Sequence, residues 1–157
     1  MTDADNLNMA TAFHEAGHAW GYFVSHKPLR YITIRARRGG GMPGNGSCQP
    51  WKPRRIDIGV AAWIAAAGPM AEAIWLQQSD TQDELDDIIF DDYLVGALFA
   101  GGREDLERSR GLLDSNTSVE FMREALLGDW SKITALAEGL VAERTLSGAK
   151  AFELLAG

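Results

Sequence analysis

Cysteine is almost missing from this sequence, because Cys48 is the only one among 157 residues. An intrachain disulfide is therefore excluded, and so is a metal site built from several thiolates. This usage is typical of a reducing compartment, and we expect a cytoplasmic protein. Cys48 itself lies in a glycine- and proline-rich stretch without a partner motif, so we interpret it as a residue without a functional role.

Basic charge is also in short supply. The sequence has 15 Lys and Arg against 22 Asp and Glu, which leaves a net charge of −7. This balance argues against a protein dedicated to binding nucleic acid. Residues 1–9 are polar and acidic, and they lack the pattern of a signal peptide. The sequence contains no P-loop, so we expect no ATP-driven unfolding by this chain.

One stretch is apolar enough to raise the question of a membrane span. Ile58 to Leu76 contains 19 residues, and Glu72 is its only charged one. Its length just reaches that of a bilayer-spanning helix. However, the stretch is mostly alanine and has Gly68-Pro69 at its middle, which favours a buried helix of a soluble core. We therefore predict no integral membrane span.

The remaining patterns predict a single domain over residues 1–157, mainly α-helical with a small β-element. Apolar periodicity predicts helices over 5–25, 56–78 and 93–113, the last interrupted near Gly101-Gly102. Three further helices are predicted from capping residues: a capping box of Thr117 with Glu120, a cap at Asp129 and a cap at Ser147.

The β-element is predicted over residues 29–38, where β-forming side chains are concentrated. Residues 39–50 are rich in glycine and proline, and they predict a loop without regular structure. Pro69 is expected to kink the helix over 56–78 or to begin a new segment there.

The strongest functional signal is an H-E-x-x-H motif, His14-Glu15-Ala16-Gly17-His18, inside the first predicted helix. Residues four apart lie on the same helix face, so both imidazoles can point at one ion about 2 Å from each nitrogen. Glu15 borders that face, where it can reach a metal-bound water rather than the metal. Zinc lowers the pKa of such a water, and Glu15 can accept its proton and pass it to a leaving amine.

A catalytic zinc needs a third protein ligand, and the residues leave its identity open. The extended pattern with a third histidine is excluded, because Val24 occupies that histidine's place. His26 lies near the helix end, where a surface or capping role is the ordinary one. The acidic candidates are Glu72 and Asp105. Glu72 lies in the more apolar segment, where it is also a candidate for orienting one of the histidines.

Phe13 to Ala19, with the letters FHEAGHA, closely resembles the active-site helix of the FtsH family of zinc metallopeptidases. Three further blocks resemble that family in the same order. They are Ala66 to Glu72, Gly101 to Leu106, and Trp130 to Leu146 followed by Ser147-Gly148. Together the four blocks cover most of the chain, and the first and third are the specific ones.

This resemblance implies that His14, His18 and Asp105 are the zinc ligands and that Glu15 is the general base. It also implies a mainly helical peptidase domain with an active-site helix and a small β-element beside it. The strand at 31–36 would then be an edge strand that binds an extended substrate by main-chain pairing.

Three functions are compatible with these observations. The first is a zinc-dependent metalloendopeptidase that cleaves short or unfolded polypeptides. The second is a non-catalytic zinc-binding interaction module derived from a peptidase, against which the intact Glu15 argues, because metal binding alone needs no base. The third is a proteolytic subunit that depends on a separate unfoldase ATPase as partner, or on assembly into a homo-oligomer.

Overall fold

The computed structural model describes residues 3–35, 46–50, 56–80, 87–100, 103–113 and 115–157. These residues form a mainly helical protein with a small antiparallel sheet, as predicted. The helices are α1 (Asp3–Val24), α2 (Ile58–Asp80), α3 (Asp87–Ala100), α4 (Arg103–Leu113), α5 (Asn116–Gly128), α6 (Trp130–Glu143) and α7 (Gly148–Ala156). The strands are β1 (Leu29–Thr33), β2 (Ser47–Pro50) and β3 (Thr145–Ser147).

The two longest helices, α1 and α2, pack against each other at very short range. Gly17 lies directly on the backbone of Ala67, and an added β-carbon at Gly17 would overlap the carbonyl oxygen of Ala67. One turn later, Gly21 lies in the same way against Ile64. The glycines and alanines of both helices therefore bring the two backbones together, although glycine lowers the intrinsic stability of each helix.

The hydrophobic core is built around these two helices and is closed by α6. Phe13 is stacked between two tryptophans, with its ring centroid 5.7 Å from that of Trp75 and 5.1 Å from that of Trp130. Such offset aromatic pairs add about 0.5–1.5 kcal/mol each beyond the burial of their area. The H-E-x-x-H motif therefore lies on a helix that the core holds firmly, because Phe13 directly precedes His14.

Helix α2 corrects one of the two alternatives expected for Pro69, the beginning of a new segment. The helix is continuous from Ile58 to Asp80, and no new segment begins at Pro69. Proline removes one backbone hydrogen bond from a helix and costs about 3 kcal/mol. Every residue from Ile64 to Ile74 is buried, so packing on both sides of Pro69 holds the chain in one helix.

The N-cap residues of α6 and α7 are Asp129 and Ser147, as predicted, whereas the cap of α5 differs from the prediction. Ser147 caps α7 as predicted, since its side chain accepts from the N–H of Lys150 at 3.1 Å. The Thr117 capping box is wrong, because Ser115 has the extended backbone of a cap and accepts from the N–H of Ser118. Asp129 precedes α6 without a side-chain cap bond, because its carboxylate accepts from the Trp20 indole at 3.0 Å.

The sheet has the order β2-β1-β3, with both pairs antiparallel. Two expectations are corrected here. Ser47–Pro50 forms a strand, although residues 39–50 were expected to be irregular, because it pairs with β1 along its length. Strand β1 is central rather than an edge, because β3 pairs with its other side. It ends at Thr33, and residues 36–38 of the predicted strand lie outside the described residues.

Helix α2 contains the apolar stretch considered as a membrane span. Ile58–Ser79 is long and apolar enough to cross a bilayer by length and composition alone. In the structure, 56% of its most apolar window is buried against the rest of the protein. A core helix of a soluble protein has the same properties, and the absence of a membrane span stays a prediction.

The close contact of α1 with α2 leads to a test of stability. Gly17→Ala should lower the free energy of unfolding by about 1–3 kcal/mol, because the new methyl group meets backbone that cannot move aside. Gly96→Ala on α3 is the matched control, since a β-carbon there meets nothing within 4 Å. It should be neutral or stabilise by up to about 1 kcal/mol. Urea unfolding followed by circular dichroism measures both, and equal effects would contradict the packing described above.

Candidate metal centre

His14 and His18 are both held by α2 through the ring nitrogen that faces it. His14 Nδ1 donates to Glu72 Oε2 at 2.7 Å, and His18 Nδ1 donates to the main-chain oxygen of Ile64 at 2.8 Å. Both imidazoles are at least nine-tenths buried. A hydrogen bond at Nδ1 fixes the ring orientation and leaves Nε2 to face the site, which is the arrangement that histidine ligands of metals ordinarily have.

Gly68 on α2 makes room for the second histidine. An added β-carbon at Gly68 would overlap the imidazole of His18. The Ile64 carbonyl that holds this ring lies one helical turn before Gly68, so the bond and the space come from the same stretch of α2. The sequence contained a signal for this contact, since a glycine inside a helix ordinarily has a packing reason.

Asp105, near the start of α4, completes a group of three ligand atoms. Its Oδ2 lies 3.3 Å from His14 Nε2 and 3.1 Å from His18 Nε2. The two Nε2 atoms are themselves 3.1 Å apart. The three atoms come from residues up to 91 positions apart in sequence, and they form an almost equilateral triangle.

This triangle has the dimensions of a metal site. A tetrahedral ion with ligand bonds of about 2.0–2.1 Å has ligand atoms about 3.3 Å from one another. The measured separations of 3.1–3.3 Å match three corners of such a tetrahedron, and the fourth corner has no ligand among these residues. The buried group of His14, His18 and Asp105 can therefore hold a metal ion.

The structure separates the two acidic candidates for the third ligand. Asp105 lies on the Nε2 side of both histidines, whereas Glu72 lies behind His14 at Nδ1. Glu72 is therefore placed to orient His14 rather than to join the triangle. His26 is exposed beyond the end of α1. Gly101 and Gly102, which precede Asp105 in the block that resembles the FtsH family, lie outside the described residues.

Glu15 lies beside the triangle, and one of its carboxylate oxygens makes no hydrogen bond to the described residues. The residue is only 5% exposed, and its Oε2 has no hydrogen-bond partner among the described residues. Burial raises the pKa of Glu15, although the charges of His18 and His14 oppose this shift. A buried carboxylate oxygen without a partner is costly, so its place next to a candidate metal site is a chemical observation in favour of that site.

Gly46 and Cys48 cover Glu15 from the side of β2. The backbone at Gly46 lies so close that an added β-carbon would overlap the Glu15 carboxylate. The Cys48 thiol donates to the main-chain oxygen of Glu15 at 3.3 Å. Burial, and then the charge of Glu15, raises the pKa of this thiol well above its ordinary range. Cys48 was interpreted as having no role, because nothing in its local sequence shows that β2 folds back onto α1.

The main-chain groups of Cys48 face the outer edge of the sheet. Ile34 donates its N–H to the carbonyl of Arg144 at 3.0 Å, so the main chain of Ile32, two residues earlier, also faces β3. Cys48 is the partner of Ile32 in β2. Because Ile32 directs its groups away from β2, the N–H and C=O of Cys48 point away from β1. An additional strand at this edge would hydrogen-bond with the N–H and C=O of Cys48.

His14 and Asp105 each stabilise the charged form of the other. Burial lowers the pKa of His14, but hydrogen bonds to Asp105 and Glu72 and the charge of Glu15 outweigh it and raise that pKa to about 10. Burial opposes ionisation of Asp105 as well, yet hydrogen bonds from His14 and His18 hold its pKa well below the usual range. Without a metal, a proton on His14 therefore supplies positive charge among the carboxylates.

Comparisons with known proteins add no support to the resemblance to the FtsH family. Neither a scan of protein-family models nor a search of curated proteins finds a match to this chain. Membership of the FtsH family therefore stays a prediction, and the function must be argued from the geometry of the site.

The triangle leads to a test of metal binding. The protein should bind about one divalent ion per chain, measured by zinc titration and elemental analysis after preparation without chelators. Asp105→Ala should weaken zinc at least about 10–100-fold, because it removes a ligand rather than an outer contact. Asp91→Ala, which removes an exposed carboxylate on α3, is the control and should leave the affinity unchanged. An Asp105→Ala protein with wild-type affinity would exclude this triangle.

The raised pKa of His14 leads to a test in metal-free protein. The group is protonated in the folded state up to pH about 10 and in the unfolded state up to about 6.5. Its contribution to stability is therefore complete below pH 6.5 and is lost as the pH rises through about 10. The melting temperature should fall across this window, and less steeply in Glu72→Gln, which keeps an acceptor but loses the charge. Parallel profiles for the two proteins would contradict the pairing of Glu72 with His14.

Proposed function

We propose that this protein is a zinc-dependent metalloendopeptidase that hydrolyses peptide bonds in short or unfolded polypeptides. His14, His18 and Asp105 would hold the ion, and Glu15 would be the general base. The observation that carries the proposal is the buried Glu15 Oε2 without a partner, next to three ligand atoms with the spacing of a tetrahedral site. The resemblance of Phe13 to Ala19 to the FtsH family supports the same assignment.

The chemistry divides between the ion and the chain. Zinc, when bound, supplies a Lewis acid that acidifies water and polarises a carbonyl group. Glu15 accepts a proton from the attacking water and delivers it to the nitrogen of the leaving amine. A raised pKa suits this double task, because a group that both accepts and donates a proton works best when its pKa lies near the working pH.

The remaining residues of the site position these groups. Glu72 and the Ile64 carbonyl hold the two imidazoles at Nδ1, so that both Nε2 atoms face Asp105. Removing a contact of this kind ordinarily lowers metal affinity or activity by about 10–100-fold. Because Gly68 has no side chain, α2 leaves space for the imidazole of His18.

Strand β2 is an outer strand of the sheet that the described residues form, and its outer edge favours a polypeptide as substrate. Cys48 presents its N–H and C=O at this edge, and its thiol contacts Glu15. An extended peptide paired with β2 would therefore pass beside the general base. A folded protein does not offer an extended main chain of this kind, and for this reason we propose short or unfolded polypeptides as the substrate class.

A Glu15→Gln variant separates catalysis from metal binding. Glutamine has the same shape but accepts no proton, so peptide cleavage should fall by about 10²-fold or more while zinc is retained. His14→Ala is the matched control, and it should lose tight zinc binding and activity together. Cleavage is measured on a pool of internally quenched peptides, and zinc by elemental analysis of the same samples.

Three outcomes would contradict parts of this proposal. Undiminished cleavage by Glu15→Gln would exclude Glu15 as the base. Loss of zinc in that variant would make Glu15 a ligand or a structural residue. A zinc-loaded wild type that cleaves no peptide in the pool would favour the non-catalytic zinc-binding module instead.

A further inference from the structure

Tyr22 lies on α1 in a place that the proposed ligands and base do not use. It follows His18 by four residues and Glu15 by seven. With 3.6 residues per turn, a separation of seven is almost two full turns, so Tyr22 lies on the same side of α1 as Glu15. The residue is half-buried and packs against the hydrophobic core.

The residues that precede Tyr22 on this side of α1 contact both sides of the site. His18, one turn before Tyr22, has its Nε2 3.1 Å from Asp105 on α4. Glu15, two turns before Tyr22, accepts from the Cys48 thiol on β2 through its main-chain oxygen. Asp105 belongs to the metal-binding triangle, and Cys48 lies on the free edge strand beside Glu15. Tyr22 therefore lies on the next turn of the helix face that contacts both the strand that would pair with a substrate and the helix that supplies the third ligand.

The hydroxyl is available as a hydrogen-bond donor. Within the part of the chain that the structure describes, it makes no hydrogen bond of its own, although the main-chain oxygen of Tyr22 accepts from Lys27. Burial raises the pKa of Tyr22, so the hydroxyl keeps its proton at every pH at which a peptidase of this kind works.

An extended substrate on β2 would need such a donor. In an antiparallel pair, alternate residues direct their N–H and C=O towards the partner strand, and the residues between them direct theirs away. The groups that face away lose their water when the substrate binds, and each unpaired one costs about 1–3 kcal/mol. Helix α4 offers few free main-chain donors, because its own backbone hydrogen bonds use them beyond the first turn. A side-chain donor on the α4 side of the substrate would supply a hydrogen bond to these main-chain groups, which the backbone of α4 does not supply.

We propose that Tyr22 is a substrate-binding residue of this peptidase, whose hydroxyl donates a hydrogen bond to a main-chain carbonyl of a polypeptide held between β2 and α4. The inference rests on the proposed function, which it extends by naming a residue for recognition of the substrate main chain. It assigns Tyr22 no part in holding the metal or in moving the proton.

The test uses Tyr22→Phe, which removes the hydroxyl and keeps the ring. Zinc-loaded protein is titrated by calorimetry with acetohydroxamate, which reports the metal alone, and with two tripeptides that carry a hydroxamate at opposite ends. Tyr22→Phe should bind at least one of the tripeptide hydroxamates about 5–10-fold more weakly, which is the usual effect of losing one hydrogen bond. Acetohydroxamate and zinc should bind as in the wild type, and cleavable peptides should show a raised KM with little change in kcat.

Tyr31→Phe on β1 is the matched control. Side chains alternate along a strand, so Tyr31 faces away from the side of the sheet on which Ile32 and Cys48 meet α1. This variant should bind all three hydroxamates as the wild type does.

The outcomes distinguish this inference from the proposed function. Wild-type affinity of Tyr22→Phe for both tripeptides would overturn the inference and leave the proposed function intact. An equal loss for acetohydroxamate and the tripeptides would place the phenol at the metal group and would also overturn it. If the zinc-loaded wild type binds none of the hydroxamates, the proposed function fails, and the inference fails with it.

Discussion

The close approach of α1 and α2 is the contact on which the site depends. Gly17 and Gly68 remove the side chains that would hold the two helices apart, one at a backbone contact and the other at the ring of His18. Only at this separation can Glu72 and the Ile64 carbonyl reach the histidines of the neighbouring helix. Small residues that weaken each helix by itself therefore determine how accurately the two imidazoles are aimed.

The second constraint is the charge that this packing buries. Glu15 and Glu72 are buried and Asp105 is partly buried, and among the described residues the imidazoles of His14 and His18 lie with these three carboxylates. Carboxylates are rarely buried without a cation or several hydrogen bonds, because losing their hydration is costly. Burial lowers the pKa of His14, but hydrogen bonds to Asp105 and Glu72, with the charge of Glu15, raise it and favour a proton there. A divalent ion would replace that proton with a larger positive charge, so the same residues that favour protonation of His14 also favour a metal.

The sequence predicts the local parts of this arrangement and fails where distant segments meet. Helix α1 and the pairing of His14 with His18 follow from spacing within one helix, and both could be read directly. Asp105 lies 87 residues after His18, and spacing alone could not choose it over Glu72. The role of Cys48 and the central position of β1 depend on pairing between strands far apart in sequence, for which no local pattern exists.

The position of β3 determines which edge of the sheet remains free. Helix α6 ends at Glu143, and Arg144 caps it in a left-handed conformation. The carbonyl of Arg144 accepts from the N–H of Ile34. This turn brings β3 alongside β1 and closes the edge that lies away from Glu15. Among the described strands the open edge is consequently that of β2, whose Cys48 thiol contacts the main-chain oxygen of Glu15. Strand β3 thus leaves main-chain pairing available only beside Glu15 among the described strands, which is the edge at which the proposed peptidase would bind an extended polypeptide.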